Sequence, residues 1–183
     1  MGSVRASGLK AVLFDRDGTL VRDVPYNGDP ELVQPMPQAR AVLLGLRRRG
    51  IATGVLTNQA GVSRGILAWG QVAAVNKRIE DRLGPFDVWE ICPHGPDDGC
   101  SCRKPAPGMI VNACRRLGIS AGEAAYIGDI GSDMEAAEAA GARGILVPTP
   151  LTRASEVSAA RELAPDLASA LTLLLGGPPG GRR

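Results

Sequence analysis

The sequence predicts an α/β fold with a mainly parallel sheet. Short apolar runs alternate with longer segments of helical spacing, the pattern of strands joined by helical crossovers. Polar clusters follow three of those runs, Asp15/Asp17, Thr57/Asn58 and Asp129. In an open parallel sheet all three gather at the carboxyl edge, where such folds bind ligands. At 183 residues, with 44% apolar and 22% charged content, the chain suits one globular domain with a full core.

Residues 1–8 read as a loose leader, 9–175 as a single domain and 176–183 as a flexible tail. The first strand spans 10–14 and runs straight into Asp15-Arg16-Asp17-Gly18-Thr19. A loop rich in Pro, Gly and Asp covers 22–36. Pro37 suits a first helical position, and a helix over 39–49 stops at Gly50. The second strand, 51–56, ends in Thr57-Asn58-Gln59. Val72, Val75 and Ile79 give 68–83 helical spacing, and Gly84-Pro85 ends it. The third strand is 88–91. Pro107 starts a helix that Gly118 stops. The fourth strand, 124–127, ends in Gly128-Asp129, and 133–140 is a helix with Gly141 after it. The fifth strand is 144–147. Segments 155–163 and 165–175 read as helical.

Charge excludes some function classes. Basic residues number 21 against 19 acidic, a net charge of +2. That is too little for a nucleic-acid or membrane surface. No apolar stretch approaches a membrane span. The start lacks the apolar segment of a secretory signal, and Ala6 stands where a myristoylation signal wants Ser or Thr. Four cysteines do not make a disulfide scaffold. The expectation is a cytoplasmic monomer acting on a small molecule.

Two constellations carry chemistry. Asp15 and Asp17 are carboxylates two residues apart at a strand end. Such a pair can hold a hard cation and supply a nucleophile and an acid/base. A calcium loop is excluded, because Leu20 stands where that loop needs Gly. The second constellation is Cys92, His94, Cys100 and Cys102. Three thiolates and an imidazole in a closed set suit a structural, tetrahedral Zn²⁺. The intervening 95–99 segment turns but builds no core, so the metal would organise it. Cys-x-Cys lacks the two-residue gap of a redox motif. Cys114 lies on the apolar face of its helix and reads as an inert core residue.

Asp15-Arg16-Asp17-Gly18-Thr19-Leu20, Thr57-Asn58, Lys104 and Gly128-Asp129 with Asp133 resemble the four scattered motifs of the haloacid dehalogenase (HAD) superfamily of phosphohydrolases. The segments 57–65 and 102–109 more closely resemble its D-glycero-D-manno-heptose 1,7-bisphosphate 7-phosphatases. The related histidinol-phosphate phosphatases share that plan. The resemblance implies a Rossmann-like three-layer α/β/α fold. The spacings from Asp17 to Thr57 and from Thr57 to Lys104 leave no room for a separate cap domain.

Asp15 would then be the nucleophile, forming an aspartyl-phosphate, and Asp17 the general acid/base. Mg²⁺ would sit between Asp15, the main-chain carbonyl of Asp17, and Asp129, with Asp133 orienting that shell. Thr57 and Lys104 would stabilise the phosphoryl oxygens. With no cap, specificity falls to loops, and Asp23, Tyr26, Asn58, Gln59, Arg64 and Arg103 are the candidate substrate-binding residues. The chain departs from the heptose enzymes in a short zinc loop and in Ile130, where they carry Lys. Histidinol phosphate is therefore an alternative substrate. A nucleic-acid 3′-end phosphatase is disfavoured by the charge and by few aromatics. The intact set Asp15, Asp17, Lys104 and Asp129 disfavours a catalytically silent binding module.

Overall fold

The computed structural model describes residues 8–176. Five parallel strands, β1 (Ala11–Asp15), β2 (Ala52–Asn58), β3 (Val88–Cys92), β4 (Ala124–Gly128) and β5 (Arg143–Leu146), form one sheet in the order β3-β2-β1-β4-β5. The helices are α1 (Ala39–Arg47), α2 (Trp69–Leu83), α3 (Gly108–Leu117), α4 (Gly131–Ala140), α5 (Ala154–Ala159) and α6 (Leu167–Leu174). The chain moves outward from β1 to β3, then returns to the far side of β1 as β4. That reversal opens a crevice between the carboxyl ends of β1 and β4, the usual place for a ligand in such sheets.

Alternation along β1 builds both halves of the core. Val12 and Phe14 face a cluster with Val42, Leu43 and Leu46 of α1, Val75 and Ile79 of α2, and Leu167 of α6. Ala11 and Leu13 face the opposite cluster, with Met109, Ile110 and Ala113 of α3 and Ala136 and Ala137 of α4. All five β1 residues are buried, as expected of a central strand covered on both sides. Between β1 and β2 the chain forms a short 3-10 turn (Pro30–Leu32) and α1; between β2 and β3 it forms only α2. Neither connection builds a cap domain.

Several element ends differ from the sequence reading. Pro37 lies outside α1, whose N-cap is Gln38 in the left-handed region (φ 67°), and α1 ends at Arg47. Pro107 is the N-cap of α3 and not its first helical residue. α4 starts two residues before 133, because Asp133 Oδ2 accepts from the N–H groups of Asp129 and Ile130 at 3.1 and 3.2 Å. α5 stops at Ala159. Beyond it, Leu146 N–H donates to Glu162 O at 3.0 Å and Ala164 N–H to Leu146 O at 2.9 Å, so the chain covers the edge of β5. α6 begins after Asp166, whose carboxylate accepts from Ser169 N–H at 2.7 Å. β1, β2 and β4 each run one or two residues further than the apolar pattern, so Asp15 and Thr57 lie within strands. Apart from Gly8 and Gly176, the leader and the tail lie outside the described residues. Among the described residues no helix is long and apolar enough to cross a membrane.

Candidate active site and zinc centre

β1 delivers Asp15 to the crevice, and the turn after β4 delivers Asp129. Lys104 reaches between them from the segment before α3. Its Nζ donates to Asp15 Oδ1 at 2.5 Å, Asp133 Oδ1 at 2.7 Å and the Tyr126 hydroxyl at 2.9 Å. All four residues are buried. Burial raises the Asp15 carboxyl well above its usual range, Lys104 opposes that, and Asp133, Asp129 and Asp17 add to it. Burial and then Asp133 push Asp129 up to about 7. Burial works against the Lys104 ammonium, yet Asp133 and Asp15 outweigh it and keep its pKa well above the ordinary lysine value.

The acidic cluster fits a hard cation. Ligand atoms of Asp15, Asp129 and Asp133 lie within 4.8 Å of one another, with one ammonium among them. Asp133 has both oxygens occupied: Oδ1 accepts from Lys104 and Tyr126, and Oδ2 from two main-chain N–H groups. That leaves Asp15 and Asp129 as the acidic oxygens open to an ion. The Asp17 carbonyl is passed over by the turn. Val21 N–H donates to Arg16 O at 3.0 Å and Gly18 N–H to Val21 O at 2.8 Å. Gly18 is required here. Its φ is +88°, and a Cβ would stand 2.3 Å from Asp129 Oδ2.

Asp17 is held by one oxygen. Oδ2 accepts from Arg16 Nε at 3.0 Å and from Gln59 Nε2 at 3.1 Å. Gln59 Nε2 also donates to Thr57 Oγ1 at 2.8 Å. A cavity of about 280 Å³ lies over Asp15, Asp17, Thr57, Lys104 and Asp129. A larger cavity of about 580 Å³, between α4, β5 and α5, contains none of these residues.

Cys92, His94, Cys100 and Cys102 converge into a second cluster that could hold a metal ion. Cys92 ends β3, and His94, Cys100 and Cys102 follow in the loop. The sulfur separations are 3.1 Å (Cys92–Cys102), 3.5 Å (Cys100–Cys102) and 3.7 Å (Cys92–Cys100). His94 Nδ1 lies 3.2 Å from Cys102 Sγ and 3.5 Å from Cys92 Sγ. Arms of about 2.3 Å around a tetrahedral ion put sulfurs about 3.8 Å apart, so the donor set has the size for Zn²⁺. Burial and the neighbouring thiol of Cys102 push Cys92 up to about 12, a crowding that a bound cation relieves. Arg103 Nη1 donates to His94 O at 3.1 Å, and Asn58 pairs with the Lys104 main chain at 3.2 and 3.3 Å. Arg103 is thus tied to the loop, and the Lys104 main chain to the end of β2.

The HAD-hydrolase-like family model matches residues 101–172. The D-glycero-beta-D-manno-heptose-1,7-bisphosphate 7-phosphatase of Pseudomonas putida is 34% identical over 146 residues, 77% of this chain and 83% of that protein. The chain belongs to the HAD-like hydrolases, in the family of the heptose-bisphosphate phosphatases. A D,D-heptose 1.7-bisphosphate phosphatase from B. bronchiseptica, crystallised with magnesium and phosphate, matches with a TM-score of 0.81 at 28% identity. The match covers 91% of this chain and 98% of that one. A putative HAD-like phosphatase from Mesorhizobium loti matches with a TM-score of 0.72 at 33% identity, over 99% of this chain and 93% of that one.

Within this HAD-like hydrolase, Asp23, Tyr26, Asn58, Gln59 and Arg103 line the cavity with the acidic cluster. Arg64 does not line it; its guanidinium donates to the Tyr26 hydroxyl. Asn58 and Gln59 have their side chains committed to Lys104, Asp17 and Thr57, so their geometry is that of props for neighbouring groups. The apolar side chains of Ile130 and Leu151 also reach the cavity wall. Sequence reasoning missed Arg16, Asn76 and Tyr126. Arg16 is 1% exposed, and its Nη1 donates to Asn76 Oδ1 at 2.8 Å. One available signal was Asn76, a polar residue on the apolar face of α2 between Val75 and Ile79.

Proposed function

We propose that this chain is a Mg²⁺-dependent phosphomonoesterase that removes the 7-phosphate of D-glycero-D-manno-heptose 1,7-bisphosphate through an aspartyl-phosphate on Asp15. One observation carries the reading most. Asp15 and Asp129 meet across the β1/β4 crevice, with Lys104 bonded to Asp15, in a chain related to enzymes named for that reaction.

Mg²⁺, held by Asp15, the Asp17 carbonyl and Asp129, would supply charge neutralisation for the phosphoryl oxygens. The chain's residues divide the rest. Lys104 donates to Asp15 Oδ1 and orients that carboxylate. Asp15 attacks phosphorus as the sugar oxygen departs, and Asp17 gives that oxygen its proton. Thr57 and Lys104 share the charge that spreads over the phosphoryl oxygens. Asp17 then takes a proton from the water that cleaves the aspartyl-phosphate. Cys92, His94, Cys100 and Cys102 would hold Zn²⁺ and so aim Arg103 and Lys104. Arg103 has the planar fork suited to a substrate phosphate or hydroxyl. Asp23 and Tyr26 line the cavity, and Arg64 bonds the Tyr26 hydroxyl.

A second reading, histidinol-phosphate hydrolysis, rests on Ile130 in the cavity wall and on the short zinc loop. A panel of sugar monophosphates, sugar bisphosphates and histidinol phosphate separates the two. The expected result is a kcat/KM for the heptose bisphosphate at least tenfold above the others. A preference for histidinol phosphate would select the second reading.

A further inference from the structure

Arg16 is a buried cation that the reaction as described leaves unused. Its Nε binds Asp17 Oδ2, and its Nη1 is held by Asn76, a buried polar side chain on α2. Gln59 Nε2 lands on the same oxygen, Oδ2, from the end of β2. A carboxylate fixed this way cannot turn freely. Nor can it take a proton on Oδ2 without setting an O–H against two N–H donors. Both effects favour the proton on Oδ1.

We propose that Arg16, held by Asn76, and Gln59 form a frame that reserves Asp17 Oδ1 for proton transfer to the leaving oxygen. Arg16, Asn76 and Gln59 are positioning residues in this assignment. It rests on Asp17 being the general acid of the proposed phosphatase. The frame spans three elements: the turn after β1, the end of β2 and the middle of α2. A carboxylate left to rotate would present the wrong oxygen for part of the time, and proton transfer is sensitive to small misplacement.

The test is the leaving-group dependence of kcat/KM, which reports steps through departure of the alcohol. Phosphate esters from p-nitrophenyl phosphate to alkyl phosphates cover good to poor leaving groups. Good leaving groups depart without a proton, and poor ones need it. In Asn76→Ala the expected loss is at least tenfold greater for alkyl phosphates than for p-nitrophenyl phosphate. Asn76→Asp, which keeps an acceptor for Arg16, should restore the parent dependence. Gln59→Leu gives the same steepening, and it serves if Asn76→Ala does not fold. It also lowers all rates through Thr57, which moves the line without tilting it.

A uniform loss across the series in both variants, with circular dichroism unchanged, would overturn the frame. The reference is Asp17→Asn, which must show the steepest dependence. A flat dependence there would remove the general-acid role of Asp17, a failure of the reading beneath the frame and distinguishable from failure of the frame itself.

Discussion

At the residue scale the site is organised by charge confined in a small volume. Three buried carboxylates stand against one lysine, and Asp129 is pushed up to about 7 as a result. Its ordinary value is 3.8, so between about pH 4 and pH 7 the folded metal-free chain holds a proton that the unfolded chain releases. Stability of the metal-free protein therefore falls as pH rises through that window. Mg²⁺ must displace the same proton. Its affinity is expected to fall as pH drops below about 7, and the raised Asp15 carboxyl adds to that dependence. Calorimetry at pH 6, 7 and 8 checks this; equal affinity at all three contradicts it. Gly18 is the second residue-scale case. Gly18→Ala forces a Cβ toward Asp129 Oδ2 at a φ of +88°, at a strain of about 1–3 kcal/mol. The variant should lose both Mg²⁺ affinity and turnover at least tenfold while remaining folded by circular dichroism.

At the element scale the loop carrying His94, Cys100 and Cys102 links a candidate metal centre to the cavity over Asp15. Cys102 is adjacent to Arg103 and two residues before Lys104, and Arg103 holds the His94 carbonyl. In Cys102→Ser, phosphatase activity should fall at least tenfold with helix content nearly unchanged, because no helix lies between Cys92 and Gly108. Turnover unchanged in a zinc-depleted variant would contradict the link. Strands and their polar ends were legible in the sequence because chemistry-bearing residues directly follow apolar runs. Helix ends were less so. α5 ends where residues 162–164 pair with Leu146, and the start of α4 depends on Asp133 reaching back to Asp129. Arg16, Asn76 and Tyr126 were not legible as site residues. Each has a bland local reading: spacer in a motif, polar helix residue, strand core. Each acquires its partner only when distant segments meet, as when Arg16 meets Asn76, 60 positions away.

At the scale of the molecule, one topological fact places everything else. The return from β3 across β1 to β4 opens a crevice, and that crevice brings Asp15 and Asp129 together from opposite ends of the chain order. The two packed faces of the sheet hold β1 and β4 fixed beneath it. Among the described residues no cap domain stands above the cavity, whose lining includes the cation Arg103 and apolar Ile130 and Leu151. The central claim is that Asp15 carries the phosphoryl group during turnover. It is tested most directly by mixing enzyme, Mg²⁺ and substrate, quenching with acid within milliseconds, and reducing with borohydride, which converts an aspartyl-phosphate to homoserine. Peptide mass spectrometry is expected to find homoserine at position 15, and none in Asp15→Asn. Multiple turnovers with no modification at position 15, or with it at another aspartate, would contradict the account.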